Sequence, residues 1–240
     1  MIGNPIDYDK KFKDNLPIFP PKFDPELRRY INLVPGKEVL DLGIGQGRNS
    51  IPLADLGFNV TGVDFSTKYL EFCKKTCDKL NLIHSDIRTF NIEKDKYDLI
   101  HSRFVLHFFH KQDSYEIIKN IKENLKIDGM IYIYVFSIYD PRFQEYTNSL
   151  EFDCLENNIF HHKTSDTYIS FFTKDEILNL FKYFKTICIS DEYCLEFTKE
   201  TPRYTGFIKY IGKKIKWFIL KFYIFSNLKK IIFFGFRIFF

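Results

Sequence analysis

Apolar and polar positions along the chain switch between a period of two and a period of about 3.6, and the switching lays out an alternation of strands and helices. Residues 38–42 form a short apolar run that predicts a first strand. Residues 46–56 carry apolar side chains at helical spacing, with Pro52 still near a permissive first turn. Residues 58–63 predict a second strand, residues 67–79 a helix that Ser66 can cap, and residues 80–84 a short third strand. A fourth strand is expected over 97–102, a helix over 113–125, a turn at Lys126-Ile127-Asp128-Gly129, and a fifth strand over 130–136, rich in β-branched and aromatic residues. A helix over 25–33 precedes them all.

From 137 to 172 the pattern dissolves into aromatic, polar and histidine-containing sequence without a clear period. It resumes as a helix over 173–184, whose Asp175 and Glu176 suit the positive end of a helix dipole. Residues 186–190 and 205–211 then read as the last strands. The expected fold is α/β: a Rossmann-like, seven-stranded, mostly parallel sheet with helices on both faces. The expected organisation is a cap segment (1–36), one domain (37–214) with an acceptor lid inserted at 137–172, and a C-terminal extension (215–240). An insertion at the carboxyl end of a strand lies where open sheets take their ligands.

The densest signal is residues 39–50, Val-Leu-Asp-Leu-Gly-Ile-Gly-Gln-Gly-Arg-Asn-Ser. A strand delivers Asp41, and Gly43, Gly45 and Gly47 carry the backbone toward a helix. Glycine suits a turn with unusual dihedrals and a backbone that a ligand approaches closely. A dinucleotide fingerprint would place its third glycine at position 48, which is Arg48 here. An acid at the start of the loop repels a pyrophosphate and favours a cation, such as the amino and sulfonium groups of S-adenosylmethionine (SAM). The run, followed at the expected distance by Gly57-Phe58-Asn59-Val60-Thr61-Gly62-Val63-Asp64, resembles a class I SAM-dependent methyltransferase. Within that class it resembles the small branch that includes the tellurite-resistance methyltransferases. Ile44 stands where that branch usually has cysteine.

Asp64 ends the second strand, where a carboxylate can accept charge-assisted hydrogen bonds from two vicinal ribose hydroxyls. Phe65 follows and is placed either against adenine or in plain packing. The resemblance implies that Asp86 accepts from the adenine amine, that the Ile87 backbone donates to the ring, and that Asp41 faces the methionine amino group directly or through water. Ser102 is expected among the cofactor-binding residues. On the acceptor side the candidates are Arg48, Arg103 and His110, with His107 as a general base because a neutral imidazole titrates near working pH. The alternative for His107 is a core histidine; His161 and His162 are weaker candidates. Methyl transfer can also proceed on alignment alone, without a base. No Asn/Asp-Pro-Pro-aromatic run follows the fourth strand, which argues against a DNA acceptor, and a small-molecule or lipid-linked acceptor is expected. A silent SAM-binding module is the rival from a different class.

Charge changes this picture at one end only. The formal net charge is +4, yet no acidic residue follows Glu200, so the positive balance belongs to the C terminus. Residues 215–240 hold ten aromatics, five cations and no acid. Three lysines interrupt the 14 apolar residues of 217–236; at roughly +2.5 to +3.5 kcal/mol for each central lysine, spanning a bilayer is not favoured. Contact with an anionic membrane surface is expected instead, with packing on the domain or a nucleic acid as alternatives. The five cysteines lack a C-x-x-C pair or a zinc-spaced histidine, so no metal site is expected. The polar, proline-punctuated opening does not read as a signal peptide, which suggests a cytoplasmic setting.

Overall fold

The computed structural model describes residues 22–196 and 203–216. Strands β1 (Glu38–Leu42), β2 (Asn59–Asp64), β3 (Asn81–His84), β4 (Leu99–Arg103) and β5 (Met130–Phe136) run parallel, and β9 (Phe184–Glu196) and β10 (Arg203–Lys214) close the sheet as an antiparallel hairpin. The order β3-β2-β1-β4-β5-β10-β9 makes seven strands, as expected from the sequence. It reverses direction of winding between β1 and β4, and that is where ligands bind in open α/β sheets. All seven residues of β5 are buried, which explains their unbroken apolar run.

Helices α1 (Pro25–Tyr30), α2 (Ser50–Asp55) and α3 (Thr67–Thr76) contribute to one core layer with Leu27, Ile51, Leu53, Leu70 and Cys73; α4 (Lys111–Asn124) packs Ile117, Ile118 and Ile121 into the other. The expected capping of α3 is present: Ser66 Oγ accepts from the Tyr69 amide at 3.2 Å. The helix predicted from residue 46 begins only at Ser50, because Gly47 at φ +71° keeps the chain in a turn. The hairpin is longer than predicted, since β9 and β10 pair almost end to end and polar residues such as Asp191 and Glu192 hide the run in the sequence.

Residues 137–172, where the sequence shows no clear period, fold into regular elements. They contain α5 (Pro141–Thr147) and a three-stranded antiparallel sheet of β6 (Phe152–Leu155), β7 (Ile159–His162) and β8 (Thr167–Ser170). Phe160 and Phe171 are fully buried in this module, with Phe143, Tyr146 and Phe152 packed around them. Asp140 anchors it: its carboxylate caps α5, pairs with Arg142 at 2.6 Å and accepts from the Gly206 amide at 2.8 Å. Helix α6 (Lys174–Leu180) follows, opened by a capping box between Thr173 and Glu176.

The expected membrane contact lies in residues 215–240, nearly all of which fall outside the described residues, as does the cap segment before residue 22. Strand β10 delivers the chain at Lys214, whose amide donates to the Gly129 carbonyl beside the start of β5, at the end of the sheet remote from the glycine loop. Among the described residues no helix is long and apolar enough to cross a membrane.

A candidate cofactor crevice at the strand ends

The three loop glycines serve three different purposes. At Gly43 (φ +80°) a Cβ would stand 2.3 Å from Val105 Cγ2, so this position is reserved for the turn that follows β4. At Gly47 (φ +71°) a Cβ would press within 3.0 Å of Ile51 and 3.2 Å of the Cys73 sulfur, so here the loop packs onto α2 and α3. Gly45 (φ +52°) is the exception: a Cβ would meet nothing within 4 Å. The expectation that these glycines clear the way for a ligand therefore narrows to Gly45. Ile44 fits for a related reason: its side chain lies where Gly62 lacks one, with Cδ1 only 2.2 Å from an imagined Cβ there.

Asp64 borders that open space. Its carboxylate accepts from the Gly45 amide at 2.8 Å and from the Ser66 amide at 2.9 Å, tying the tip of β2 to the loop. Burial pushes its pKa up, and the two amides oppose that shift. Phe65 is 48% exposed, with its carbonyl oxygen 2.9 Å from His84 Nε2, so the backbone is held while the ring stays open to a ligand. On the inner side of the loop the Cys73 thiol donates to the Gly45 carbonyl at 3.2 Å, and burial, with the nearby Asp41 and Asp64 charges, pushes its pKa up to about 12. That thiol braces the loop and is not a nucleophile.

Asp41 is buried under the loop, accepting from Ser50 Oγ at 2.6 Å, with His101 Nδ1 at 3.3 Å from its other oxygen. Burial raises its pKa and His101 opposes the rise. The helix before the sheet closes this region from the side. Asp24 caps α1 through the Glu26 amide at 3.0 Å, accepts from Tyr134 Oη at 3.1 Å, and donates its own amide to Asn49 Oδ1 at 3.0 Å. Sequence reading overlooked Asp24, Asn49, Ser50, Tyr134 and His101. Asp24-Pro25-Glu26 carries a helix-start signal that points to the first of them.

Other candidates land differently from expectation. Burial pushes the Asp86 pKa up, but Arg88 outweighs it and holds the carboxyl below its usual range: the guanidinium contacts both carboxylate oxygens, at 3.1 and 2.9 Å through Nε, and the Arg88 amide adds a bond at 2.9 Å. Any adenine amine must share Asp86 with that arginine. Ile87 has its side chain in the core. Ser102 is buried and its hydroxyl donates to the Leu42 carbonyl at 3.1 Å, joining β4 to β1. Arg103 lies over the rings of Phe104 and Tyr134, with Nε 3.7 Å from Asp24, so it belongs to the α1 closure. Arg48 is half-buried beside the loop.

His107 is the clearest correction. It is wholly buried, its ring stacks on Phe136 with centroids 3.4 Å apart, and Phe104 and Phe108 pack against it. Neither ring nitrogen has a hydrogen-bond partner among the described residues. Burial, helped by the Arg142 charge, lowers its pKa well below the ordinary value, so the ring is neutral and shut away from an acceptor proton. His110 caps α4 through the Gln112 amide, with its ring edge-on to Tyr168; His161 pairs with Asp166 at 2.9 Å, and His162 accepts from the Ser165 amide. All three serve local turns.

The residues around Gly45 fit SAM: open space over a side-chain-free backbone, a carboxylate at the β2 tip, an exposed aromatic beside it, and a buried carboxylate below. Comparison with known proteins agrees. Residues 39–129 match the model of a family described as "Methyltransferase domain". The chain is 42% identical over 96 residues to a probable S-adenosyl-L-methionine-dependent methyltransferase, TehB, of Haemophilus influenzae, covering 38% of this chain and 33% of that one. It is 35% identical over 107 residues to a ubiquinone biosynthesis O-methyltransferase of Actinobacillus pleuropneumoniae, covering 40% of this chain and 44% of that one. The chain thus spans less than half the length of these curated relatives. The crystal structure of TehB from Haemophilus influenzae superimposes with a TM-score of 0.62 at 23% identity, covering 80% of this chain and 62% of that one. Residues 39–129 are therefore similar to a methyltransferase domain, and within them the chain is similar to TehB.

Proposed function

We propose that this protein binds SAM in the crevice at Gly45 and transfers its methyl group to a small-molecule acceptor. The observation that carries the reading is the open space at Gly45 bordered by the Asp64 carboxylate. Bound there, SAM supplies a methyl group made electrophilic by its sulfonium. Asp64 would accept from the ribose hydroxyls, Phe65 would lie against the adenine, and Asp41 would meet the methionine ammonium. The glycine loop, braced by Cys73, Val105 and Ile51, would hold these groups without rearranging. The acceptor would enter between the α1 closure and the 137–172 module.

The burial of His107 removes the expected base, and the reading does without one: alignment of an already nucleophilic acceptor supplies much of the rate. An oxyanion, a thiolate or an easily ionised hydroxyl suits such a site. The test is release of S-adenosylhomocysteine from SAM with panels of oxyanions, thiols and phenols. Turnover with one panel supports transfer. The same burial of His107 favours one second reading, a module that binds SAM without transferring its methyl; binding with no release across every panel would establish it.

A lipid-linked acceptor and attachment to an anionic membrane surface rest on the composition of residues 215–240. A chain ending at Lys214 should stay folded and no longer sediment with anionic vesicles that retain the full chain. Equal sedimentation would refute the attachment.

A further inference from the structure

Asp41 and His101 are register partners on β1 and β4, so their side chains project side by side from the same face of the sheet. The two side chains are only 5% and 1% exposed, and Nδ1 lies 3.3 Å from Oδ1. The other Asp41 oxygen is occupied by Ser50. Neither imidazole nitrogen makes a well-directed hydrogen bond among the described residues. The charged groups facing His101 are Asp41 from β1, Asp24 from the head of α1, and Arg103 from its own strand, while Tyr132 of β5 presents a ring edge at 6.5 Å. A buried carboxylate with no full counter-charge is costly, and the nearest titratable group able to supply one is this histidine.

We infer that His101 is a positioning residue that, with Asp41, holds one shared proton in the cofactor-free domain and releases it when the cationic end of the cofactor arrives. The inference rests on SAM binding at this crevice. The pair is close enough to titrate as a unit, so the proton belongs to both groups. With the proton present the pair is neutral overall and attracts a cation weakly; without it the pair carries a single negative charge directed at the ligand. Cofactor binding therefore expels the proton to solvent. Affinity rises with pH while the empty pair is protonated, by up to about tenfold per pH unit, and levels off above that range. Burial lowers the pKa of His101 and raises that of Asp41, which brings the two titrations toward one another.

The experiment is calorimetric titration of the full chain with SAM between pH 5 and 8, in buffers of different ionisation enthalpy, for the wild type and His101→Gln. Glutamine can donate to Asp41 but cannot carry the proton. The wild type should release up to one proton per SAM in the rising part of its profile, and His101→Gln should bind without that release in the same range. Parallel profiles for the two proteins, or a flat wild-type profile, would overturn the inference while leaving SAM binding intact. No binding by the wild type at any pH would overturn both it and the cofactor reading. If His101→Gln does not fold, the ring ¹³Cε1 resonance of His101 in the wild type gives the answer. It should move from the protonated toward the neutral position as SAM is added at fixed pH within the rising range, and no movement would overturn the proposal.

Discussion

The glycine loop and the 137–172 module both follow strands at the carboxyl end of the parallel sheet but are built on opposite principles. The loop is a backbone device: unusual φ values at Gly43, Gly45 and Gly47, the Gly45 amide given to Asp64, and side chains used mainly as braces. The module is a side-chain device, in which Phe143, Tyr146, Phe152, Phe160 and Phe171 interlock over a small antiparallel sheet. A backbone device demands particular residues at particular spacings. A packed aromatic cluster accepts many sequences of similar volume. The difference sets the loop, where cofactor binding is proposed, apart from the module, past which the acceptor is proposed to enter.

The strongest way to break that separation is Phe160→Ala. Loss of a fully buried ring should cost about 3–5 kcal/mol, concentrated in the module. Hydrogen exchange should show residues 141–170 losing protection, with SAM affinity kept within about twofold. A large fall in SAM affinity would show that the two regions act as one.

Gly43 and Gly45 sharpen the comparison inside the loop. Gly43→Ala adds a left-handed residue and a clash with Val105, for roughly 2–4 kcal/mol of stability. Val105→Ala should restore part of it. Gly45→Ala meets no neighbour, so its stability cost should be about 1 kcal/mol, while SAM binding weakens on the order of tenfold because the methyl occupies the ligand's space. Chemical denaturation and calorimetry read the two effects separately. Equal behaviour of the two variants would contradict the assignment of distinct roles.

The smallest effect is expected at His107. His107→Phe keeps the aromatic packing and removes two unpartnered ring nitrogens, so stability at pH 8 should stay within about 1 kcal/mol of the wild type. The difference should grow in acid. An imidazole kept neutral by burial contributes stability that is complete above about pH 6.5 and is lost as the pH falls, because the unfolded chain takes up the proton and the folded one does not. The Phe variant should therefore lose less stability than the wild type between pH 7 and 5, with S-adenosylhomocysteine release unchanged. Abolished turnover with SAM binding intact would restore His107 as an acceptor residue.

These contrasts also explain what could be read in the sequence. The strand–loop–strand from Glu38 to Asp64 was legible because each feature is a local backbone requirement with its own residue type. The small sheet was not: β6 shows almost no burial, so it carries no alternation, and it is a strand only because β7 pairs with it. His107 resembles a base because sequence does not report depth, and the ring that seals it, Phe136, comes from the end of β5. Asp86 reads as a loop acid after β3, and the sequence gives no sign that Arg88, two residues away, occupies its carboxylate. Asp41 carried a signal in the glycine motif, while its partner His101 becomes visible only once β1 and β4 lie in register.

If Asp64 and Gly45 form the cofactor's seat, calorimetric titration of the wild type and Asp64→Ala with SAM reads it most directly. The wild type should bind one SAM, and the folded variant, deprived of charge-assisted bonds to two hydroxyls, should bind on the order of a hundredfold more weakly. Equal affinity in the two proteins, or no heat from the wild type at millimolar SAM, would contradict it.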